Sequence, residues 1–244
     1  MKLPIFVNSS DRLNYANTTS SNFTVNFPVP LTNIKSCKLL SVTVPSTIYS
    51  IRAGVNDLIS WSRGANNFTA LVVPGNWTLN SLIAEIGPLM SGTDSGASYT
   101  LNYLSVSEQL AFACTSSFTL NWGGGLPNYM NYVLGFPPIN VSSVSNVIQS
   151  SNSFDLSFPH YCCLYLSNLP SVLTTSNNQK PVSFIVPLTQ NGFSGLNFYG
   201  QDKDFEQELP LSQIITISSL QVQLYDEKGN SLSLNGNDFS FLLK

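Results

Sequence analysis

Apolar and polar residues alternate along most of this chain, in short segments that Pro, Gly, Asn and Ser separate. A period of two is typical of strands with one buried and one solvated face. Strands are predicted in the first third of the chain at residues 23–27, 40–44, 58–62 and 68–73. Pro28 and Pro30 are expected to end the first of them, because proline donates no ladder hydrogen bond.

One segment has a helical period instead. The turn at residues 74–76 is followed by Thr78, whose hydroxyl can cap a first helical turn. Apolar side chains then recur at the spacing i, i+3, i+4 and i+7, at Leu79, Leu82, Ile83 and Ile86. This spacing predicts an amphipathic helix. Pro88 is expected to weaken or kink its end, and a second, short helix is predicted at residues 129–134.

Alternation resumes after the helix and continues to the last residue. It predicts further strands at residues 99–103, 110–114, 118–122, 154–158, 161–166, 182–187, 220–224 and 239–243. The apolar phase shifts by one between Ile217 and Leu220, which indicates a bulge at residues 218–219. Residues 139–153 are interpreted as a loop or a weak edge strand.

About ten strands, one clear helix and no strand–helix–strand rhythm favour an all-β fold. We predict an antiparallel jelly-roll β-sandwich with one or two short helices and decorated loops. Residues 1–20 lack periodicity and are interpreted as an N-terminal arm. Residues 21–244 are interpreted as a single jelly-roll domain, with residues 139–200 as a candidate insertion or extra lobe.

The composition bears on function because the chain is poor in charge. Of its 244 residues 43% are hydrophobic and only 9% are charged, against roughly 25% charged in an average soluble domain. The net charge is -3 and no basic run occurs, which argues against direct, sequence-specific nucleic-acid binding. A surface of Ser, Thr, Asn and Gln loses little solvation energy when another protein covers it. The composition therefore favours a subunit of an assembly.

The sequence also indicates the cellular compartment of the chain. No segment has the roughly 18–20 apolar residues of a transmembrane span, and the N-terminal apolar stretch is too short for a signal peptide. We expect the chain to be made and kept inside a cell. The four cysteines, Cys37, Cys114, Cys162 and Cys163, form no CxxC pair. They are interpreted as buried reduced thiols, with a disulfide or a metal site as the alternative.

Candidate catalytic residues are few. His160 is the sole histidine, so a cupin-type metal site, which needs several imidazoles, is excluded. A dyad of His160 and Cys162 is disfavoured, because side chains two apart on a strand lie ~6–7 Å from each other. Four acids, Asp202, Asp204, Glu206 and Glu208, would share one side of an extended segment. They are interpreted as a solvated loop or a charged edge, with a calcium site as the alternative.

Other motifs also lack the context of a ligand site. The glycines at 123–125 are not followed by the Lys-Ser/Thr of a phosphate loop. Trp61, Trp77 and Trp122 are assigned to core packing rather than to a sugar site. We therefore predict no catalytic, cofactor-binding or metal-binding residue, no cofactor and no enzymatic activity.

The order of several segments carries a resemblance. These segments are "SNFTVNFPVPL" at residues 21–31, "CKLLSVTVPSTIYSI" at 37–51, "VVPGNWTLNSLIAEI" at 72–86, "YVLGFPP" at 132–138 and "LQVQLYDEKGNSLSLNGNDFSFLL" at 220–243. In this order they resemble the single jelly-roll penton proteins of virophages, Polinton-like viruses and related large DNA viruses. Relatives more often carry Tyr where this chain has Trp77.

The resemblance implies a viral structural protein of the icosahedral capsid. It implies a homopentamer at the five-fold vertices, beside a neighbouring major capsid protein built from two jelly rolls. The chain would then be located in the virion, assembled inside the host cell. The alternative is the receptor- or glycan-binding head of a viral attachment protein, for which the loops at 123–127 and 171–180 are the candidate contacts.

Overall fold

The computed structural model describes residues 3–126, 128–157, 159–173, 180–188, 196–199 and 208–244. Its elements, in chain order, are β1 (Ile5–Asn8), β2 (Asn22–Val44), β3 (Leu58–Arg63), β4 (Asn66–Leu71), α1 (Leu79–Thr93), β5 (Tyr99–Leu104), β6 (Gln109–Cys114), β7 (Thr119–Leu120), β8 (Val141–Ser142), β9 (Val147–Gln149), β10 (Tyr161–Leu166), β11 (Val172–Leu173), β12 (Pro181–Val182), β13 (Phe184–Pro187), β14 (Leu196–Tyr199), β15 (Glu208–Asp226) and β16 (Ser240–Leu243).

Strands dominate this order, and the named strands in the described ranges pair antiparallel. The predicted fold class, an antiparallel jelly-roll β-sandwich with few helices, is confirmed. The chain divides into two compact units, unit 1 with residues 1–48 and 159–244 and unit 2 with residues 49–158. The assignment of residues 21–244 to one domain stays a prediction.

Unit 1 is built on one large sheet. Its strand order is β1-β16-β2-β15-β10-β13, with β14 also paired to β2. Apolar side chains of these strands form a core that includes Leu39, Val42, Leu164, Val222 and Phe241, each at most 1% exposed. Burying such side chains contributes roughly 1.5–3 kcal/mol each. The predicted strands at 161–166, 220–224 and 239–243 all lie in this sheet.

Strand β2 differs from the prediction that Pro28 and Pro30 end a strand. It runs unbroken through both prolines. In its pairing with β15, Leu31 faces Ile217 and Asn26 faces Ser219, so β2 carries extra residues between these two points. Proline is tolerated in such a bulge because no ladder hydrogen bond is lost there. The register does shift beside the bulge predicted at residues 218–219, but the extra residues lie on β2 and not on β15, so the prediction placed the bulge on the wrong strand.

The N-terminal segment is more ordered than the predicted arm. Strand β1 pairs with β16, and a 3-10 turn at Ser9–Asp11 follows, capped by the Asn8 side chain. Val7 is buried in the core of unit 1. The sequence did not predict β1, because its alternating pattern covers only four residues and a long polar segment follows it.

Unit 2 contains two smaller sheets and the helix. The strand orders are β4-β3-β7-β8 and β5-β6-β9. Helix α1 starts as predicted: the Thr78 hydroxyl accepts a hydrogen bond from the Ser81 amide, and the two residues form a capping box. Leu82, Ile86 and Met90 bury its apolar face.

Pro88, which was predicted to weaken or kink the end of the helix, lies inside α1, and the helix continues past it to Thr93. The helix packs closely on β5 at the preceding residue. A β-carbon on Gly87 would lie 3.0 Å from the Tyr99 carbonyl oxygen. This close packing of the helix on β5 offsets the one intrahelical bond that proline removes.

Two further predictions are wrong. The expected helix at 129–134 is a single turn, in which the Leu134 amide donates to the Met130 carbonyl and Gly135 reverses the chain at φ 79°. Residues 154–157 of the expected strand at 154–158 form no strand, and residue 158 lies outside the described residues. Phe154 instead packs against the Tyr103 ring, so its apolar character reflects a side-chain contact. Residues 139–153, interpreted as a loop or a weak edge strand, contain the short strands β8 and β9.

Within the described ranges, no helix has both the length and the apolar character that crossing a bilayer requires.

Candidate assembly surfaces

The outermost strands of the three larger sheets are β1 and β13 in unit 1, and β4, β8, β5 and β9 in unit 2. Their sequences, IFVN, FIVP, NNFTAL, VS, YTLNYL and VIQ, contain no Lys, Arg, Asp or Glu. Proteins that stay monomeric commonly place charges, above all lysine, on such strands to prevent pairing with other chains. In the part of the chain that the structure describes, only Pro187 at the end of β13 serves that purpose.

Five of these six edge strands expose a large apolar side chain, and β1 and β4 have the most exposed ones. Phe6 of β1 is 64% exposed, and Leu71 of β4 is 59% exposed. Val73, two residues after Leu71, is 64% exposed. Removing apolar surface from water is favourable by roughly 25 cal/mol per Å². The β1 and β4 edges therefore offer both unpaired backbone and apolar surface to another chain.

A groove of about 1040 Å³ opens in unit 1 along the middle of β2. Its lining includes Phe27, Leu31, Ile217, Leu220 and Leu243. Ile217, Leu220 and Leu243 are buried, and Phe27 and Leu31 are half-buried. The groove lies where β2 and β15 change register three times between Pro210 and Ser219. The surface of the groove is largely apolar.

Charge is concentrated at this groove. Three of the seven lysines in the sequence, Lys35, Lys38 and Lys244, line it, together with Glu208. Lys38 and Lys244 exchange both backbone hydrogen bonds, at 2.8 and 2.9 Å. Such a pair carries its side chains on one face of the sheet. Glu208 is the register partner of Lys38 on β15, so it lies next to Lys38 in the sheet.

The structure does not bring His160 and Cys162 together. His160 is exposed, and its Nδ1 atom lies 3.3 Å from a carboxylate oxygen of Glu227. Cys162 is fully buried among the apolar side chains of unit 1. Burial raises the pKa of the Cys162 thiol, because a thiolate loses its solvation there. A dyad would need a thiolate beside the imidazole.

The cysteines are free, as predicted, and Cys37, Cys162 and Cys163 are buried. Burial raises the pKa of Cys37 to about 12 and that of Cys163 to about 11. We expect iodoacetamide at pH 8 to modify Cys114, which is half-buried, well before the other three, and to modify all four after unfolding. Mass spectrometry of digested samples measures this order. Equally fast labelling of Cys37 and Cys114 in the native protein would contradict it.

Three of the four clustered acids, Asp202, Asp204 and Glu206, lie outside the described residues. Glu208, the fourth, begins β15 and lines the groove. Within the described ranges, no three His, Cys, Asp or Glu side chains are close enough to hold a metal ion together. The calcium alternative for residues 202–208 stays untested.

The remaining motifs have structural roles. Trp61 and Trp122 are buried in the core of unit 2, as predicted. The half-buried Trp77 donates its indole N–H to the Val73 carbonyl at 2.9 Å. The amide of Gly123 donates to the Asn140 side chain, and a β-carbon on Gly124 would lie 2.6 Å from the Tyr129 hydroxyl. A side chain at Gly124 would collide with Tyr129, so this glycine run serves local packing.

Sequence reasoning missed one buried polar cluster in unit 2. The Arg63 guanidinium donates to both carboxylate oxygens of Asp94, at 2.6 and 2.7 Å, and the Tyr99 hydroxyl donates to Asp94 at 2.9 Å. The amide of Gly96 donates to the same carboxylate. The hydrogen bond from Arg63 holds the pKa of Asp94 well below its usual range. The cluster joins the end of β3 to the end of α1.

Nothing in the sequence indicates that Arg63 and Asp94, which lie 31 positions apart, form a pair. Lys244 and Lys38 likewise come from opposite ends of the chain. Their proximity is a result of strand order, which periodicity alone does not specify.

Comparison with protein families finds a match over residues 2–155 to the model of a family of unknown function, DUF5901. Comparison with curated proteins finds no match. Among solved structures, the chain is similar to the mavirus penton protein, in a crystal structure of its selenomethionine-labelled form. The identity is 12%, the alignment covers 99% of this chain and 98% of that chain, and the TM-score is 0.47.

Proposed function

The chain belongs to the DUF5901 family of unknown function, and we propose that it is a penton protein of a viral capsid. In this proposal its copies form homopentamers at the five-fold vertices of an icosahedral shell. The observation that carries the proposal is the absence of charge from the edge strands of the described sheets, together with the exposed Phe6 and Leu71. Such edges would cause a monomer to aggregate, whereas in a subunit of an assembly they can pair with another copy.

The same surfaces suit a closed ring. A ring of identical chains uses heterologous contacts, in which two different surfaces meet and the rotation closes. The β1 and β4 edges belong to different sheets and have different sequences, IFVN and NNFTAL. Each copy therefore offers the two unlike surfaces that a heterologous contact needs.

The neighbours of the ring follow from the resemblance in the sequence. The segments at 21–31, 37–51 and 72–86 resemble those of single jelly-roll penton proteins, which implies a double jelly-roll major capsid protein beside each vertex. A surface with 9% charged residues loses little solvation energy when such a neighbour covers it. We propose the virion as the location of the protein, with assembly inside the host cell.

Particle mass tests the proposed ring. Mass photometry of the purified protein is expected to give a species of five times the 26.6-kDa chain mass. This species should persist when salt is added, because apolar edge contacts are not screened by salt. A protein that remains monomeric at all concentrations, and that does not enter capsids when it is co-expressed with a major capsid protein, would refute the proposal.

A further inference from the structure

We propose that β1 is an exchangeable strand, which can leave β16 of its own chain and be replaced there by the β1 strand of a second copy. The ion pair between Arg12 and Asp238 is the latch that holds β1 in its own chain. The inference goes beyond the proposed ring, because exchange needs two copies of the chain but no pentamer.

The N-terminal segment, residues 3–19, is attached to the rest of unit 1 over a small surface. All of these residues are described, and among them Val7 and Ser9 alone are buried. The segment pairs with β16 over the four residues of β1. Segments with few buried apolar contacts open at a lower free-energy cost than the rest of a fold. Residues 3–19 are therefore expected to open while the rest of unit 1 stays folded.

One ion pair fastens this segment to the residues just before β16. The Arg12 guanidinium donates to the Asp238 carboxylate at 2.6 Å and to the Ser9 carbonyl at 2.7 Å. The Ser9 hydroxyl donates to the same carboxylate at 2.7 Å, and the Ser9 amide donates to the Phe239 carbonyl. The guanidinium also lies over the Tyr15 ring, 4.2 Å from its centroid. Removing the Arg12 side chain therefore loosens the segment without altering β1 or β16.

The occupant of the vacated edge is inferred from the fit of β1 itself. Val7 is the register partner of Phe241 and packs in the core of unit 1, whereas Phe6 is 64% exposed. The β1 strand of a second copy makes the same contacts, since these do not depend on which chain supplies the strand. The two strands, IFVN and SFLL, contain no charged residue, so charge does not oppose their pairing between copies.

The connection from β1 to β2 is long enough for exchange. Residues 12–21 join the 3-10 turn at Ser9–Asp11 to β2 and contain no helix and no named strand. Fully extended, a connection of this length spans roughly 33 Å, which is several times the ~4.8 Å spacing of neighbouring strands. The β1 strand can therefore reach another copy while β2 stays in its own sheet.

Mixing two variants, each with one added cysteine, tests this exchange. Phe6 and Leu242 are register partners, at a separation that a disulfide can bridge. Oxidation of a mixture of Phe6→Cys chains and Leu242→Cys chains is expected to give a covalent dimer joined through positions 6 and 242, which mass spectrometry of the digested dimer identifies. Arg12→Ala in both chains should make this dimer appear about tenfold faster, because hydrogen bonds to a charged group are lost.

The matched control for the latch is Asp11→Ala, which removes an exposed charge next to Arg12 in the same segment. It should leave the rate of dimer formation unchanged. Thermal melting of each variant verifies that the rest of the chain stays folded.

A labelled peptide with the sequence of residues 3–12 tests whether the edge of β16 accepts a strand that is not part of its own chain. Fluorescence anisotropy is expected to show about tenfold faster binding to Arg12→Ala than to the wild type, because Asp238 of the variant remains to accept the arginine of the peptide. Within the peptide, Val7→Asp should abolish binding, since it would bury a charge. Phe6→Asp, at the outward position, should leave binding intact.

Two results would overturn the inference. The first is the lack of a dimer joined through positions 6 and 242 in both the wild-type and the Arg12→Ala backgrounds. The second is equal binding of the unchanged peptide and the Val7→Asp peptide. Failure of the ring is distinguishable from failure of exchange: a monomeric wild type that still yields this dimer refutes the ring alone, and a ring without it refutes exchange alone.

Discussion

Replacing Asp94 by alanine is expected to lower the free energy of unfolding by about 2–3 kcal/mol, the largest stability effect among the polar residues of unit 2. Asp94 is 2% exposed and accepts hydrogen bonds from Arg63, Tyr99 and Gly96. Its removal leaves the Tyr99 hydroxyl and the guanidinium without a partner. The expected loss lies below that of a wholly buried pair, because the Arg63 side chain retains 25% exposure. Urea unfolding measures it.

The effect of Asp94 should depend on pH in a defined direction. Because the hydrogen bond from Arg63 holds the pKa of Asp94 below its usual value, the carboxylate stabilises the fold above the unfolded-state pKa of about 3.9. This contribution is lost as the pH falls toward the lower pKa of the folded state. The difference in unfolding free energy between wild type and Asp94→Asn should therefore shrink below about pH 4.

The matched control is Glu108→Ala, which removes an exposed carboxylate of the same unit. It should change the unfolding free energy by less than about 0.5 kcal/mol. If Asp94→Ala were as mild as Glu108→Ala at pH 7, the cluster would contribute nothing to stability.

Placing a lysine on either uncharged edge is expected to abolish assembly. Phe6→Lys and Leu71→Lys each put a charge on an exposed position of an edge strand. In an interface, that ammonium would be desolvated without a partner, and the apolar contact would be lost. We expect the dissociation constant between copies to rise about 100-fold or more. Sedimentation velocity at fixed concentration measures the change.

The same substitution at Val106 provides the control. Val106 is fully exposed in the turn between β5 and β6, and does not belong to an edge strand. Val106→Lys should leave assembly and melting temperature unchanged. The dissociated Phe6→Lys and Leu71→Lys chains should melt at the same temperature as the dissociated wild-type chain, since both positions are mostly exposed.

The sequence predicted the parts of the fold that depend on local pattern. The capped helix at Thr78 and the strands β5, β6 and β10 follow from periodicity and capping chemistry. Pro28 and Pro30 were misleading because a bulge, which depends on the register between β2 and β15, lets a strand contain them. The turn at 129–134 was misleading because Gly135 stops a helical pattern after one turn.

The sequence predicted the candidate surfaces only in part. Low charge indicated a subunit of an assembly, but which strands lie at sheet edges depends on strand order. The groove combines Lys35 and Lys38 with Lys244, more than 200 positions away along the chain. Such a site is created by pairing between the two ends of the chain, and no spacing rule predicts it.

The most direct measurement for the central claim, that uncharged edges join copies of this chain, is the particle mass of the wild type beside Leu71→Lys at the same micromolar concentration. A ring of five chains is expected for the wild type, and single 26.6-kDa chains are expected for the variant. A ring that survives both Leu71→Lys and Phe6→Lys, or a wild type that is already monomeric, would contradict it.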